Sequence, residues 1–341
     1  MQPQPTKAQF DFVLNAFRGL QTVQVIGLGL RLGMIAALKE TGGLTAADLA
    51  ARLNLHAPYV RVWCEVGYAL SVLELDAGRF VLPPGMETVL LDRDHPRYLG
   101  GFAEGFISHL AADFDRYPAA FTDGSVHAFG EHGLDFSAWV ASLTHPMQRL
   151  VVGKVLPETF GAALDRGIDI LDVGCGAGQL IFKLADAYPN CRFVGIDVDP
   201  YGIELAKTEA SVRGYGDRVQ FRRTKKDSAP FDDRFDLALM FEVLHELPVS
   251  VRPSVLESAQ RALKPGGKLF ILDETWAENP ADLRDPRFTM SVLVQFSELV
   301  WGNVVATETE QTRLLTDAGF VNLTRSDLGG VFTLIYAEKP A

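Results

Sequence analysis

A glycine-rich turn follows a segment with the pattern of a buried strand. Residues 168–173 are rich in strand-forming side chains, and they lead through Gly174, Gly176 and Gly178 into a helical pattern. Glycines are needed where a ligand approaches the backbone, because a Cβ would obstruct it and because such turns adopt unusual dihedral angles. Glycines also simply allow a helix to pack tightly on a strand, so this turn alone is a weak indication of a ligand site.

Two aspartates make the turn more informative. Asp197 ends the next predicted strand, 19 residues after Gly178, where a carboxylate can accept hydrogen bonds from both hydroxyls of a ribose. Asp172 stands just before the turn, where its charge would repel a pyrophosphate and suit a ligand that carries an ammonium and a sulfonium. The combination therefore indicates a positively charged adenosyl ligand.

The segments around these residues alternate between strand and helix. The predicted strands are 168–173, 192–197, 219–222, 235–240 and 268–272, and the predicted helices between them are 179–187, 201–213 and 251–263. Alternation at this spacing predicts an α/β fold with a parallel sheet covered by helices on both faces. In such a sheet, ligands bind beyond the carboxyl ends of the strands.

Four segments carry a resemblance to a known family. LDVGCGAG, VGIDVDP, FDLALMFEVLHEL and LKPGGKLFILDE resemble the nucleotide, ribose, post-strand-four and post-strand-five motifs of class I S-adenosylmethionine-dependent methyltransferases. With its N-terminal part, the chain looks like the bacterial small-molecule O-methyltransferases. The resemblance implies a Rossmann-like seven-stranded sheet of order 3-2-1-4-5-7-6 with an antiparallel last strand at 330–338.

The resemblance implies S-adenosyl-L-methionine as the cofactor. The glycines would cradle its methionine portion, Asp172 would lie near its amino group, Asp197 would hold its ribose and Val198 would pack on its adenine. The residues that the resemblance assigns to the cofactor are Asp172, Gly174, Gly176, Gly178, Asp197, Val198, Asp227, Phe241 and Glu242. Asp227 departs from the family pattern, because the acid expected to bind adenine aligns near Lys225.

His245 occupies the position at which related O-methyltransferases have a general base. A histidine pKa near neutrality suits the removal of a phenolic proton. In other branches of the family a histidine here orders the loop, and both roles remain open. Glu242 and Glu246 would orient the imidazole or bind the methionine ammonium, with a carboxylate of no special role as the alternative for Glu246.

The N-terminal part, 1–95, is predicted to be a helical arm followed by a winged helix. Three helical patterns precede two short strands within 73–82, and Thr45 and Asp48 mark the start of the middle helix. A winged helix can read DNA or support dimerisation. The predicted recognition helix offers only Arg61 against Glu65, so we expect a homodimer and no nucleic-acid partner.

The next part, 96–165, is predicted to be a helical connector that contributes to the substrate pocket, and 166–341 is the predicted catalytic domain. An apolar helical stripe after strand five would cover the site. The predicted substrate-pocket residues are Phe136, Trp139, Met147, Met290, Phe296 and Trp301. This set predicts a small and largely apolar acceptor, including an aromatic hydroxyl.

Composition narrows the class of protein. The chain has 341 residues, is 48% hydrophobic and carries a formal charge of −11, which predicts a globular protein without affinity for nucleic acid. Three cysteines without metal-ligand spacing favour a cytoplasmic protein without a thiolate metal site, and no membrane segment is expected. A ligand-sensing transcription regulator and a cofactor-binding enzyme that no longer methylates remain the alternatives to a methyltransferase.

Overall fold

The computed structural model describes residues 5–224 and 229–341. The chain forms two compact units, one ending at Asp115 and one beginning at Arg116. The predicted connector, 96–165, is shared between them. Its first helix, Gly100–Gly105, belongs to the N-terminal unit, whereas Val151, Leu156 and Leu164 are part of the core beneath the sheet.

The N-terminal unit is mainly helical. Its elements are α1 (Pro5–Arg31), α2 (Met34–Thr41), α3 (Ala46–Leu53), α4 (Ala57–Ala69), β1 (Glu74–Asp76), β2 (Arg79–Val81), α5 (Met86–Leu91), α6 (Gly100–Gly105) and α7 (Ala111–Phe114), with a π-helical turn at Phe106–Leu110. Thr45 caps α3 by accepting a hydrogen bond from the backbone N–H of Asp48, as its sequence predicts. Helix α4 ends at Ala69, and the chain then turns through a left-handed Ser71.

The second unit is built on one sheet. Its helices are α8 (Tyr117–Asp123), α9 (Leu134–Leu143), α10 (His145–Leu150), α11 (Leu156–Arg166), α12 (Gln179–Ala187), α13 (Pro200–Arg213), α14 (Arg252–Ala262), α15 (Thr289–Ser297) and α16 (Glu308–Asp317). Its strands are β3 (Asp169–Val173), β4 (Arg192–Asp197), β5 (Val219–Arg223), β6 (Phe235–Phe241), β7 (Leu263–Asp273), β8 (Val321–Leu328) and β9 (Phe332–Glu338).

The seven strands lie in the order β5-β4-β3-β6-β7-β9-β8. Counted along the chain, this is the predicted order 3-2-1-4-5-7-6, which is confirmed. The strand pairs from β5 to β7 are parallel, and β9 is antiparallel to both neighbours. The carboxyl ends of β3, β4, β6 and β7 therefore meet at one edge, where the site residues lie.

The sheet is covered on both faces by apolar side chains. Ile170 and Leu171 are adjacent and fully buried, yet they belong to separate core clusters on opposite faces, as the alternation of side chains along a strand requires. Because the central strands are buried on both faces of the sheet, their sequences are continuous runs of apolar residues.

Within the described ranges, no single helix is long and apolar enough to cross a membrane. Helices α1 and α2 meet that criterion of length and composition only when they are taken together, and the chain bends by 72° between them.

Candidate functional site

A cavity of about 410 Å³ lies at the carboxyl edge of the sheet. Its walls come from the ends of β3, β4 and β6, from α9 and α10, and from the segment after α15. The lining residues used below are Ser137, Val140, Ala141, Thr144, Gln148, Gly174, Gly176, Asp197, Val198, Asp199, Thr224, Phe241, Glu242, Glu246, Leu247, Pro248, Trp301 and Asn303.

The three glycines of the turn after β3 serve different purposes. All three have positive φ, and Gly174 and Gly176 line the cavity whereas Gly178 does not. A Cβ on Gly176 would meet no atom within 4 Å, so the absence of a side chain there leaves open space beside the cavity. A Cβ on Gly178 would lie 2.5 Å from the ring of Phe221, so this glycine is required for packing.

Asp197 binds the backbone on two sides of the cavity with its two carboxylate oxygens. Oδ2 accepts a hydrogen bond from the N–H of Gly176 at 2.7 Å, and Oδ1 accepts one from the N–H of Asp199 at 2.8 Å. Burial raises the pKa of Asp197 to about 6, even though these hydrogen bonds lower it. The adjoining Val198 is 46% exposed and lines the cavity, as an apolar contact for a flat ring would require.

Asp172 is buried at the end of β3, and no described group donates a hydrogen bond to its carboxyl. Burial and the neighbouring charge of Asp197 raise the pKa of Asp172 to about 8. The side chain is not part of the cavity wall. Its carboxyl therefore lies just behind the turn without a protein cation beside it.

Glu242 is the first residue after β6 and has a left-handed backbone, with φ of 58°. This conformation is costly for a residue with a side chain. Here it allows the backbone N–H to bond to the carbonyl of Leu272 at 2.8 Å while the side chain lines the cavity. Its Oε1 is buried without a hydrogen-bond partner, and burial followed by the charge of Glu274 raises the pKa of the carboxyl well above its usual value.

His245 is 3% exposed and is not part of the cavity wall. Its Nδ1 lies 2.8 Å from Oδ1 of Asp273 and 3.2 Å from Oε2 of Glu274, and its Nε2 lies 3.4 Å from Oε2 of Glu298. Burial alone lowers the pKa of His245, but Asp273 and Glu274 raise it well above its usual value. The two roles that the motif leaves open for His245, general base and ordering of the loop, stay predictions.

Two groups around this histidine have the ligand types of a metal site. Together with Asp273 and Glu274, or with Glu246 and Glu298, His245 offers ligand atoms that lie within 4.8 Å of one another. The 2.8 Å separation between His245 and Asp273 is that of a direct hydrogen bond. The predicted absence of a metal stays a prediction.

The described cavity wall is acidic. It includes the carboxyls of Asp197, Asp199, Glu242 and Glu246, and none of its described residues is Lys, Arg or His. Buried carboxyls without cations favour a ligand that brings its own positive charge. Together with the open space at Gly176, these residues fit the sulfonium, ammonium and ribose of S-adenosylmethionine. Asp227, predicted to bind the adenine, lies outside the described residues.

A family model for a methyltransferase domain matches residues 164–319. The matched segment contains the glycine turn, Asp197, Glu242 and His245.

This segment of the chain is a methyltransferase domain.

Relatives of this methyltransferase have the same activity in their names. It is 23% identical over 276 residues to methyltransferase ungE' of Aspergillus campestris, a match that covers 76% of this chain and 75% of that protein. It is also 34% identical over 127 residues to erythromycin 3''-O-methyltransferase of Saccharopolyspora erythraea, covering 37% of this chain and 39% of that protein.

Solved structures share the fold of the methyltransferase. Human N-acetylserotonin methyltransferase, solved in complex with SAM, superposes with a TM-score of 0.77 at 19% identity, covering 100% of this chain and 99% of that one. Mitomycin 7-O-methyltransferase superposes with a TM-score of 0.78 at 20% identity, covering 98% and 99%. At these identities the likeness establishes the fold.

The substrate-pocket residues predicted for the methyltransferase are only partly found at the cavity. Trp301 lines it, whereas Phe136, Trp139, Met147, Met290 and Phe296 are not among its described lining residues. Phe136 is buried in an aromatic cluster, with its ring stacked on His132 at 4.0 Å and 5.1 Å from Trp301. Met147 packs on the core beneath the sheet, and Phe296 is 52% exposed with its ring beside Tyr117.

Several polar residues of the cavity wall were not predicted. Ser137 donates to Oδ2 of Asp199 at 2.8 Å, and Gln148 donates to Oγ1 of Thr144 at 3.0 Å. Asn303 donates to Oε2 of Glu298 at 2.8 Å. The sequence contained a signal for three of these residues, because Ser137, Thr144 and Gln148 are polar residues on a helical face that also carries apolar residues, in the segment before β3.

Proposed function

We propose that this methyltransferase methylates a hydroxyl group of a small, largely apolar molecule. The single observation that carries the proposal is the composition of the cavity wall beside the glycine turn. Four carboxyls and no Lys, Arg or His are among its described lining residues, next to the apolar side chains of Val140, Ala141, Leu247, Pro248 and Trp301. Such a wall suits a cationic methyl donor together with a neutral, apolar acceptor.

S-Adenosylmethionine supplies an electrophilic methyl group on a sulfonium. We assign its ribose to Asp197 and its adenine face to Val198, since both line the same end of the cavity. Gly176 leaves room for its methionine portion, and the unpartnered Oε1 of Glu242, with the carboxyl of Asp172 behind it, suits its ammonium. The chain itself contributes orientation and exclusion of water around the reacting atoms.

A hydroxyl acceptor agrees with the charge of the wall and with the names of two relatives. An acidic acceptor would place its anion against Glu242 and Glu246, which is unfavourable in a buried site. The erythromycin and mitomycin enzymes are O-methyltransferases by name. Aromatic surface at Trp301 would pack well against a planar acceptor.

A matched set of acceptors tests this function. The purified protein is incubated with S-adenosylmethionine and, in turn, with an apolar phenol, its methyl ether, the corresponding aniline and the corresponding benzoic acid. S-Adenosylhomocysteine and the methylated product are measured by mass spectrometry. We expect product from the phenol alone. Methylation of the aniline or the acid in preference to every hydroxyl compound would overturn the proposal, and formation of S-adenosylhomocysteine separates it from a cofactor-binding enzyme that no longer methylates.

The alternative of a transcription regulator is not supported by the helix that would read DNA. In α4 the side chain of Arg61 is paired with Glu65 at 2.9 Å. A chain with a formal charge of −11 also lacks the excess positive charge on which phosphate binding depends.

We also infer that the protein forms a homodimer through α1. Large apolar side chains on this helix are exposed to solvent, among them Phe10, Phe12 and Phe17 at 64%, 71% and 65%. An exposed apolar surface of this kind is typical of a subunit interface. The three cysteines are free and buried, which agrees with the proposed cytoplasmic location.

A further inference from the structure

Asn303 is a buried amide on the wall of the cavity, in the segment between α15 and α16. It is 4% exposed, and it lines the cavity together with the apolar side chains of Leu247, Pro248 and Trp301. A polar group in such a wall costs free energy unless its atoms find hydrogen-bond partners. The partners of each atom of this amide therefore show what the side chain is free to bind.

The amide nitrogen of Asn303 is used, and its oxygen is not. Nδ2 donates to Oε2 of Glu298 at 2.8 Å, and because a carboxylate only accepts, the nitrogen must face Glu298 and the oxygen must face away from it. No group in the described part of the chain donates a hydrogen bond to Oδ1. The fully enclosed side-chain atoms without a partner in that part belong to Glu242 and Glu274, so Oδ1 of Asn303 keeps contact with open space. This oxygen is available to a donor that enters the cavity.

The segment that carries Asn303 is held in place on both sides. The amide of Gln295 on α15 donates to the backbone carbonyl of Asn303 at 2.9 Å and accepts the N–H of Val305 at 2.7 Å. Between these two residues, the N–H of Val304 bonds to the carbonyl of His245 at 3.1 Å. An amide oxygen fixed in this way is the kind of precisely placed polar group that orients a ligand in an apolar pocket.

Asn303 lies on the side of the cavity that is left for the acceptor. Gly176 and Asp197, which we assign to the cofactor, lie at the ends of β3 and β4, whereas Val304 ties the segment of Asn303 to the loop after β6. In the sheet, β6 lies on the side of β3 opposite to β4. Oδ1 of Asn303 is therefore remote from the ribose and faces the other part of the cavity.

We propose that Oδ1 of Asn303 determines specificity by selecting acceptors that carry a second hydroxyl besides the one that is methylated. This inference rests on the proposed function, because it concerns a small, largely apolar hydroxyl compound in the same cavity. A second hydroxyl donates a hydrogen bond to Oδ1. A methyl ether at that place brings only another acceptor, and a methyl group leaves Oδ1 without a partner, which costs binding free energy in a buried site.

Calorimetry with S-adenosylhomocysteine in the cavity measures this selection without methyl transfer. The ligands are naphthalenediols that differ in the position of the second hydroxyl, the monomethyl ether of each diol, and the methylnaphthol in which a methyl group replaces that hydroxyl. For the diol whose second hydroxyl reaches Asn303, we expect the wild type to bind roughly 5- to 150-fold more tightly than it binds the matched ether or methyl compound, the equivalent of about 1–3 kcal/mol. Equal affinities within every matched set would overturn the proposal.

Variants of Asn303 show whether this residue makes the selection. Asn303→Leu should bind the diol, the ether and the methyl compound with nearly equal affinity, and Asn303→Ala serves as a second variant that needs no additional room. Ser137→Ala is the matched control, because it also removes a polar group from the cavity wall but does so beside Asp199. The control should keep the preference of the wild type. A preference for the diol that persists in a folded Asn303 variant would assign the selection to another group and overturn the proposal.

Incubation of the same compounds with S-adenosylmethionine separates this inference from the proposed function. The wild type should stop at the monomethyl ether, because a second transfer would turn the methylated oxygen toward Oδ1, and Asn303→Leu should continue to the dimethyl ether. If diol binding depends on Asn303 but no hydroxyl is methylated, the proposed function fails and the role of Asn303 stands. If hydroxyls are methylated but the wild type binds diols and ethers alike, the role of Asn303 fails and the function stands. Absence of binding by every compound would contradict both.

Discussion

Asp273 binds both the ring and the turn of His245. Its Oδ1 lies 2.8 Å from Nδ1 of the imidazole, and its Oδ2 accepts the backbone N–H of His245 at 3.3 Å. One buried carboxylate at the end of β7 thus sets the conformation of the loop that follows β6. Because Glu242 and Glu246 belong to that loop, their positions in the cavity depend on this contact between neighbouring strands.

Replacement of His245 should destabilise the protein. His245→Gln removes the cation from a buried group of carboxylates, which typically costs about 3–5 kcal/mol. Because the folded-state pKa of His245 is raised, its stabilisation is complete below the ordinary histidine pKa and is lost as pH rises through the folded value. The loss in the variant should therefore be largest at mildly acidic pH and shrink on the alkaline side.

Urea unfolding at several pH values measures this effect. His56→Gln is the control, since His56 is exposed and its replacement should change the free energy of unfolding by less than about 0.5 kcal/mol. Equal stabilities of His245→Gln and the control would show that the ion group does not stabilise the fold.

Asp172→Asn should make the ligand-free protein more stable at neutral and alkaline pH. Between the ordinary pKa of 3.8 and the folded value of about 8, the unfolded chain loses a proton that the folded protein keeps, so stability falls as pH rises. The asparagine removes this dependence. Its melting temperature should match that of the wild type near pH 4 and exceed it near pH 8, with weaker binding of S-adenosylmethionine. If the melting temperatures of the two proteins changed with pH in the same way, the raised pKa of Asp172 would be contradicted.

The glycines of the turn should respond differently to alanine. Gly176→Ala places a methyl group in open space, so the main loss should be in cofactor affinity, with roughly 1–2 kcal/mol of backbone strain. Gly178→Ala forces a methyl group against the ring of Phe221, so the main loss should be in the free energy of unfolding. Thermal unfolding and ligand calorimetry on both variants separate the two effects. If Gly176→Ala mainly lowered the free energy of unfolding and Gly178→Ala mainly lowered cofactor affinity, the ligand would lie on the other side of the turn.

The dimer interface inferred on α1 can be tested by introducing charged residues into it. Phe10 and Phe17 are seven residues apart and therefore share one face of the helix, and a double change to glutamate should convert the dimer to a monomer in light scattering. Asn15→Glu adds charge on the opposite face and should leave the dimer intact. A monomeric wild type, or a dimer that survives the double change, would exclude this interface.

The frame of the cofactor site could be predicted from the sequence. Parallel pairing of β3 with β4 places Val173 beside Ile196, so Gly176, which follows β3, must lie close to Asp197, the last residue of β4. The spacing of residues within these two segments was enough to predict this contact, because the carboxyl ends of parallel strands lie at one edge of the sheet.

The acceptor side could not be predicted in the same way. The helical stripe that includes Phe136 indicates a buried face, but it does not distinguish burial against other aromatic rings from burial against a cavity. His245 and Glu246 are adjacent in sequence, and which of them faces the cavity depends on Asp273, 28 residues further along the chain. Contacts between residues so far apart along the chain leave no periodic pattern in the sequence.

Calorimetric titration of S-adenosylmethionine into the wild type and Asp197→Ala tests the central assignment of the site most directly. The wild type should bind one molecule per chain. The variant loses the acceptor for two ribose hydroxyls and the bond to Gly176 at 2.7 Å, so its affinity should fall by roughly 5- to 150-fold, the equivalent of about 1–3 kcal/mol. Undiminished affinity in a folded Asp197→Ala, or no binding to the wild type, would contradict the account.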